Sequence, residues 1–228
     1  MKITILGSGV VGQALAARFS AIGHEVFMGT RDPEITRART DPNPQSGISF
    51  AAWHARHPEV RLCPFSEIPE DSEVLLNATS GGASVAVLEE VGEGPLEGKV
   101  LIDLANPLDF SQGMPPQLTF CNTDSLGERI QQRFPGTRVV KALNTLNYQI
   151  MVDPRLVPGA HQVFICGDDS SAKATTTALL GELGWPEDRI LDLGGIRSSR
   201  GTEMLMPFWF SLVGTLGTPL VNYRIEGP

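Results

Sequence analysis

The chain has 228 residues, which suits one large domain or one domain with a small appendage. Hydrophobic residues make up 41% of it and charged residues 19%, a balance typical of a globular protein and not of a disordered chain. With 18 Lys and Arg against 26 Asp and Glu, the net charge is −8, so the chain has no global attraction for nucleic acid or anionic lipid.

The cysteines and the first residues predict the compartment. Cys63, Cys121 and Cys166 are odd in number, far apart and without a CxxC pair, which favours reduced thiols over a disulfide or zinc framework. The start of the chain leads directly into a glycine motif and shows no signal peptide. No apolar run approaches the roughly 20 residues of a membrane span. We therefore expect a cytoplasmic protein without nucleic-acid or membrane partners.

Apolar runs rich in β-branched residues alternate with segments of helical spacing along the chain. This alternation predicts a doubly wound α/β fold, with helices on both faces of a mostly parallel sheet. The predicted strands are 2–6, 25–28, 60–63, 73–78, 99–104, 138–143, 162–166 and 189–193. The predicted helices are 10–21, 51–57, 84–91, 125–134, 171–183 and 202–213. We expect one domain over 1–228, with its core at about 1–168 and a short, partly helical C-terminal extension at about 169–228.

Two long segments after predicted strands are expected to be loops. Residues 32–47 are polar and broken by three prolines, which predicts a mobile surface loop. Arg37 and Arg39 in this loop are candidates to help bind a ligand, although arginines in a polar loop are more often simply solvated. Residues 106–116 form the second loop. Ligands of open α/β sheets lie beyond the carboxyl ends of the strands, so both loops are placed near a ligand site.

A glycine motif follows the first strand and opens the first helix. Residues 7–12 read GSGVVG, which is the GxGxxG pattern of dinucleotide-binding proteins in its expected context. Gly7 permits the tight turn, Gly9 lets a pyrophosphate approach the backbone, and Gly12 lets the helix pack closely on the strand. The pyrophosphate then meets free backbone N–H groups at the helix N-terminus.

The end of the second strand favours NADP over NAD. NAD-binding proteins usually place Asp or Glu there to hold the ribose hydroxyls, whereas this strand ends with Gly29, Thr30 and Arg31. Arg31 can stack on adenine and bind a 2′-phosphate, and Thr30 can donate its hydroxyl. Asp32 keeps NAD open as the alternative, although Pro33 after it favours the start of a turn.

Several further segments resemble one known family, the NADP oxidoreductases dependent on coenzyme F420, whose domain also forms the cytoplasmic part of the STEAP metalloreductases. The segments are GSGVVGQALA, GHEVFMGTRDP, NATSGGAS, IDLANPLDF, VVKALNTLN, VFICGDD and GWPEDRILDLGGI. They extend over nearly the whole chain, and their combination is far more specific than the glycine motif alone.

The resemblance implies a homodimeric Rossmann protein that transfers a hydride between NADP(H) and a small-molecule redox acceptor with a flavin-like ring. Coenzyme F420 is the first expectation for that acceptor, and FMN or FAD are the alternatives. The family pattern places Ser8, Val10 and Val11 at the pyrophosphate and Thr30 and Arg31 at the 2′-phosphate. The residues that it places along the ribose, the nicotinamide and the reacting ring are Ala78, Thr79, Ser80, Asn106, Pro107, Ala142, Leu143 and Asn144.

Hydride transfer between two rings requires proximity, stacking and exclusion of water, and it requires no nucleophile. The sequence agrees, because no histidine is expected at a ligand site and neither a GxSxG motif nor metal-ligand spacing occurs. The four histidines are His24, His54, His57 and His161. We therefore predict no metal and no essential acid, base or nucleophile. The residues predicted to position the reacting rings are Thr79, Asn106, Pro107 and Asn144.

Two features near the C-terminal half are less specific. Lys141 and Asn144 form the K-x-x-N pattern of hydroxyacid dehydrogenases, but Lys141 lies inside an apolar strand, which favours a structural or ring-positioning role. Residues 208–210 read FWF, and core packing or a dimer interface is the more common use of such a stripe than an acceptor pocket.

Two other functions stay open. One is an NADPH-dependent reductase of a small imine or carbonyl, which would need a proton donor. Tyr148 and Tyr223 are the only tyrosines and no YxxxK motif occurs, so this function ranks lower. The other is a sensor that binds NADPH without turnover, whose glycine loop would look the same.

Overall fold

Strands and helices alternate along residues 1–227, the part of the chain that the computed structural model describes. The strands in that range are β1 (Lys2–Leu6), β2 (Glu25–Thr30), β3 (Arg61–Pro64), β4 (Val74–Asn77), β5 (Val100–Asp103), β6 (Leu108–Asp109), β7 (Gln117–Leu118), β8 (Arg138–Ala142), β9 (Val163–Gly167) and β10 (Ile190–Asp192). The α-helices there are α1 (Val10–Ala21), α2 (Pro33–Arg37), α3 (Phe50–Arg56), α4 (Ser84–Val91), α5 (Glu93–Leu96), α6 (Leu126–Arg133), α7 (Tyr148–Val152), α8 (Ser170–Glu182) and α9 (Ser199–Leu216).

One sheet contains eight of these strands in the order β10-β9-β8-β5-β4-β1-β2-β3. Neighbouring strands are parallel except β8 and β9, which are antiparallel. After β3 the chain crosses to the other side of β1 and continues with β4. The strand order therefore reverses between β1 and β4, and such a switch point opens a ligand crevice at the carboxyl ends of the strands. The predicted fold class is confirmed.

The core lies on both faces of the sheet because successive strand residues point to opposite sides. Ile3 and Ile5 of β1 pack in a cluster with residues of α1, α3, α7 and α8. Leu6 packs on the other face, in a cluster with residues of α4, α5 and α6. Strands covered on both faces must be apolar almost throughout, which explains the near-continuous hydrophobic runs of the sequence.

The prediction of a structureless loop at 32–47 was wrong over its first part, which forms α2. Asp32 caps this helix, since its Oδ1 accepts hydrogen bonds from the backbone N–H groups of Glu34 and Ile35 at 2.9 Å each. Pro33 occupies the first helical turn, where its missing N–H costs no hydrogen bond. An Asp followed by Pro and Glu is a helix-start pattern, so the sequence carried this signal.

Four more short elements are absent from the predicted set: β6, β7, α5 and α7. The expected loop at 106–116 contributes β6, which pairs with β7 as an antiparallel hairpin beside the main sheet. All four elements are very short, and short elements depend on tertiary contacts more than on local sequence.

The C-terminal helix α9 packs against α6 and is longer than the predicted 202–213. Met206, Trp209 and Val221 form a small cluster with Leu108 of the hairpin. Phe208 points outward and is 54% exposed. Within residues 1–227, none of the helices combines the length and the apolar character needed to cross a membrane.

Candidate active site

A cavity of about 1130 Å³ lies at the carboxyl ends of β1, β2 and β4, at the switch point of the sheet. Pockets for small ligands commonly measure about 300–1,000 Å³, so this one can hold a ligand as large as a dinucleotide. Its walls come from the loop after β1, the end of β2, helix α2 with the residues after it, the loop after β4 and helix α4.

The three glycines of the loop after β1 have different roles. Gly7 has a φ of +116°, and a Cβ there would lie 2.6 Å from the carbonyl oxygen of Ala78. A Cβ at Gly12 would lie 2.1 Å from the carbonyl oxygen of Gly7. A Cβ at Gly9 would meet no atom within 4 Å. The fold itself therefore requires Gly7 and Gly12, whereas the space beside Gly9 is free for a ligand.

The start of α1 is suited to an anion. Gly9 is its N-cap residue, and no side chain caps the first N–H groups of the helix. The first turn carries no acidic residue that would repel an anion. A phosphate at this end would accept hydrogen bonds from the uncapped N–H groups and would meet the positive end of the helix dipole.

At the end of β2, the hydroxyls of Thr30 and Thr36 lie 2.8 Å apart, and both side chains are buried at the wall of the cavity. One hydroxyl donates to the other, so the hydrogen of the second remains available for a ligand. Arg31 is exposed beside them. The Asp32 carboxylate also borders the cavity, but its Oδ1 is occupied in capping α2.

Arg39 follows α2 and returns to the glycine loop. Its Nη2 donates to the carbonyl oxygen of Ser8 at 3.0 Å and lies 3.3 Å from the Ser8 hydroxyl. The guanidinium lies 5.1 Å from the centre of the Phe50 ring. Arg39 is thus an exposed but anchored cation on the wall of the cavity, which favours a ligand-binding use over a freely solvated side chain.

The loops after β4, β5 and β8 meet next to the cavity. The Asn106 amide donates to the carbonyl oxygen of Asn144 at 2.8 Å, and the Asn144 amide donates to Asn106 Oδ1 at 2.9 Å. Leu143 has a φ of +62°, which is rare for a residue with a side chain and directs Asn144 towards its partner. A Cβ at Gly81 would lie 1.9 Å from the carbonyl oxygen of Asn106, so the loops after β4 and β5 touch through backbone.

The predicted site residues fall into three groups. Eight of them line the cavity: Gly7, Ser8, Gly9, Thr30, Arg31, Ala78, Thr79 and Ser80. Three lie in the first turn of α1: Val10, Val11 and Gly12. Five lie outside the cavity lining, at the carboxyl ends of β5 and β8: Asn106, Pro107, Ala142, Leu143 and Asn144. Only Asn106 in this last group is partly exposed, so any contact of the other four requires backbone atoms or a rearrangement.

Sequence reasoning missed the far wall of the cavity. The further lining residues are Ile35, Thr36, Ala38, Arg39, Thr40, Asp41, Phe65, Ala83, Ala86, Val87 and Glu90. Most of them lie on or after α2 and along α4. The start pattern of α2 could have indicated the lining residues on and after this helix, because α2 begins directly after the end of β2, where the sequence predicts the 2′-phosphate site.

The histidines are occupied elsewhere. His24 pairs with Glu182 at 2.5 Å, and His161 is buried with its Nε2 2.9 Å from the carbonyl oxygen of Val157. His54 and His57 lie at the end of α3 and after it. Neither a histidine nor a tyrosine is among the described residues that line the cavity.

The thiols are poor nucleophiles in this structure. Burial raises the pKa of Cys63 to about 11 and that of Cys166 to about 12. Since the thiolate is the reactive form, neither group is activated at neutral pH. Cys121 is exposed and lies outside the cavity lining. Across residues 1–227, no group of three or more His, Cys, Asp or Glu side chains is arranged to hold a metal ion.

The model of the family described as NADP oxidoreductase, coenzyme F420-dependent, matches residues 2–107. The chain is 28% identical to the F420-dependent NADP reductase of Methanothermobacter marburgensis over 216 residues, which are 93% of this chain and 92% of the relative. A solved structure from Arthrobacter sp. FB24, provisionally named an F420-dependent NADP reductase, is 47% identical, covers 100% of both chains and has a TM-score of 0.92. The chain belongs to the NADP oxidoreductases dependent on coenzyme F420. The predicted family is confirmed, and with it the class of NADP-dependent oxidoreductase.

The chain is also similar to the metalloreductase STEAP3 of Rattus norvegicus. It is 30% identical over 213 residues, which are 91% of this chain but 38% of STEAP3. The chain therefore spans well under half the length of that relative. Imine reductases of Myxococcus stipitatus share the fold at TM-scores of 0.58 and 0.61, with 17% and 18% identity, a likeness that shows the fold alone.

Proposed function

We propose that this protein transfers a hydride between NADP(H) and coenzyme F420. The observation that carries the proposal is the end of β2, where Thr30 and Arg31 stand in place of the ribose-binding carboxylate that is typical of NAD-binding proteins. Arg39 lines the same cavity. The acceptor is supported by the family and by the two relatives named as F420-dependent NADP reductases. FMN and FAD are the alternative acceptors.

We propose one orientation for NADP(H) in the cavity. Gly9 and Ser8, at the uncapped start of α1, would hold the pyrophosphate. The Thr30 and Thr36 hydroxyls and the guanidinium groups of Arg31 and Arg39 would hold the 2′-phosphate. Two arginines on one phosphate are expected because each can form charge-assisted hydrogen bonds in a planar fork.

Residues of the loops after β4, β5 and β8 would hold the nicotinamide end of the cofactor. The Thr79 hydroxyl is held there, because it donates to Asn77 Oδ1 at 2.6 Å and lies 2.9 Å from the Ser84 hydroxyl. We propose that Thr79 and Asn106 orient the ring, with Pro107 and Asn144 behind them. Since hydride passes directly between two rings, this chain supplies orientation and exclusion of water and no essential acid, base or nucleophile.

We also propose a cytoplasmic homodimer made of single Rossmann domains, each with a core at about 1–168 and an extension at about 169–228. The dimer is supported by the exposed side chains of Met204 and Phe208 on α9, which are 42% and 54% exposed. Large apolar side chains clustered on an exposed helix face are typical of a protein interface. The reduced state of the scattered cysteines supports the compartment.

Arg31 provides the test of the cofactor. Arg31→Ala removes a charged donor from the 2′-phosphate, which should cost about 1.5–3 kcal/mol or about tenfold to a hundredfold in NADPH affinity. Affinity for NADH should fall much less, because NADH offers Arg31 the adenine ring but no 2′-phosphate. Arg39→Ala should show a loss of the same kind, whereas Arg37→Ala is the matched control, because Arg37 is exposed on α2 and lies outside the cavity lining.

The measurement is calorimetric titration of NADPH and NADH into the wild type and the three variants. A wild type that binds NADH as tightly as NADPH contradicts the cofactor assignment. An equal loss of NADPH affinity in Arg37→Ala and Arg31→Ala shows that only general charge is at work.

A further inference from the structure

A buried charge cluster connects the C-terminal helix α9 with β5 and β8, the strands that lead into two of the loops proposed to hold the nicotinamide. It consists of Asp103 at the end of β5, Lys141 in β8 and Glu203 in α9, whose side chains are 0%, 0% and 3% exposed. Lys141 Nζ lies 2.8 Å from Asp103 Oδ2 and 2.8 Å from Glu203 Oε1. Apolar residues often stabilise a core as well as buried ions do, because desolvation offsets the attraction between the charges. Three charges at this place therefore indicate a role beyond stability.

The cluster holds the loop after β5. Lys141 donates a hydrogen bond to the carbonyl oxygen of Ala105, and Asp103 Oδ1 accepts one from the Ala105 N–H at 3.2 Å. Both backbone polar groups of Ala105 are thus occupied by the cluster. Asn106 is the next residue, so the cluster sets where the loop with the ring-facing Asn106 begins.

The cluster also holds the loop after β4. Asp103 Oδ1 accepts a hydrogen bond from the Asn77 amide at 2.7 Å. Asn77 Oδ1 in turn accepts hydrogen bonds from the Thr79 hydroxyl at 2.6 Å and from the Thr79 N–H at 3.3 Å. A continuous chain of hydrogen bonds therefore runs from Asp103 to Thr79 at the wall of the cavity.

At its other end the cluster is anchored on two helices. Glu203 belongs to α9, and its carboxylate accepts the N–H groups of Leu126 and Gly127 at 2.9 and 3.1 Å, at the start of α6. The positive end of α6 stabilises this carboxylate. Burial would favour a neutral Lys141, but the charges and hydrogen bonds of Asp103 and Glu203 outweigh it and raise the pKa of Lys141, so the ammonium stays charged.

We propose that Glu203 is a positioning residue, which acts through Lys141 and Asp103 to hold Thr79 and Asn106 in the geometry that hydride transfer needs. Helix α9 then influences the rate although Glu203 touches neither the cavity nor the cofactor. The inference rests on the proposed function for its kinetic consequence, and it extends the site to a helix that the glycine motif and the strand ends do not reach.

The test compares Glu203→Gln with Glu128→Gln. Glutamine keeps the size of Glu203 but removes its charge. It also places an amide donor where the carboxylate accepts hydrogen bonds from the backbone of α6 and faces the Lys141 ammonium. Glu128 is the matched control, because it also ties α6 to α9, through Arg200 at 2.6 and 2.7 Å, but forms no hydrogen bond to Asp103, Lys141 or Glu203. Melting temperatures of both variants separate a loss of stability from a loss of positioning.

The expected kinetic result is a split between rate and binding. A misplacement near 1 Å can cost about a hundredfold, so Glu203→Gln should lower kcat by about tenfold to a hundredfold while the Kd for NADPH stays unchanged. With NADPH deuterated at C4, the isotope effect on kcat should increase, since the hydride step becomes slower. Glu128→Gln should leave kcat and the isotope effect unchanged. Equal kcat values in the two variants overturn the proposal.

A second readout needs neither cofactor nor acceptor. Hydrogen exchange of the free protein should show lost amide protection at residues 77–81 and 104–106 in Glu203→Gln, and normal protection there in Glu128→Gln. Unchanged protection in Glu203→Gln overturns the proposal. If the wild type oxidises no NADPH with any acceptor, the proposed function fails, and the exchange result still decides whether Glu203 holds these loops.

Discussion

Replacing Gly9 with Val should abolish NADPH binding and leave the protein folded. A Cβ at Gly9 meets no protein atom within 4 Å, so the new side chain enters the space beside the glycine loop and not the core. That space is where the pyrophosphate must approach the backbone. The variant should therefore lose the hydrogen bonds between the pyrophosphate and the backbone N–H groups. Each tenfold loss in affinity corresponds to about 1.4 kcal/mol, and we expect no saturable binding at NADPH concentrations up to about a hundred times the wild-type Kd.

The measurement is calorimetric titration of NADPH together with a melting curve. Gly12→Val is the contrasting variant, since a Cβ there would lie 2.1 Å from the carbonyl oxygen of Gly7 and must disturb the fold. It should lower the melting temperature strongly, whereas Gly9→Val should not. NADPH affinity that persists in folded Gly9→Val removes the glycine loop from the site.

Gly81→Ala should lower kcat by about a hundredfold, because the substitution forces apart the two loops that we propose to orient the reacting ring. Its Cβ would lie 1.9 Å from the carbonyl oxygen of Asn106 and 2.9 Å from the nitrogen of Pro107. Both contacts are with backbone, so no side chain can rotate away. The loops after β4 and β5 must separate by an ångström or more, a displacement that can cost about a hundredfold in rate.

Gly82→Ala is the matched control, since a Cβ at the neighbouring position meets nothing within 4 Å. It should retain the wild-type kcat. Both variants are compared by steady-state kinetics with NADPH and the acceptor, and by the Kd for NADPH, which depends mainly on the pyrophosphate and the 2′-phosphate. Wild-type kcat in Gly81→Ala contradicts the assignment of these loops to the reacting ring.

The parts of the fold that depend on local pattern could be predicted from the sequence. The β1 strand, the glycine loop and α1 follow from an apolar run, a motif and a helical period within residues 2–21. Thr30, Arg31 and Thr79 were placed at strand ends, and the structure puts all three on the wall of one cavity. In a parallel sheet the carboxyl ends of the strands share one edge, so strand prediction alone brings such residues together.

Contacts between residues that lie far apart in the sequence could not be predicted in this way. Lys141 was recognised as unusual inside an apolar strand, but its partner Asp103 lies 38 positions away in the chain, and only the adjacency of β5 and β8 brings them together. The Asn106 and Asn144 pair has the same origin. Arg39 reaches Ser8 only because α2 reverses the chain after β2, and short helices of this kind depend on tertiary packing.

Oxidation of NADPH by a panel of acceptors tests the central claim most directly. The purified protein is mixed with NADPH and with coenzyme F420, FMN, FAD or a cyclic imine, and the loss of NADPH absorbance is followed. We expect rapid oxidation with coenzyme F420, formation of its reduced form in equal amount, and much slower oxidation when NADH replaces NADPH. Turnover of the imine without turnover of coenzyme F420, or no oxidation of bound NADPH by any acceptor, would contradict hydride transfer to coenzyme F420.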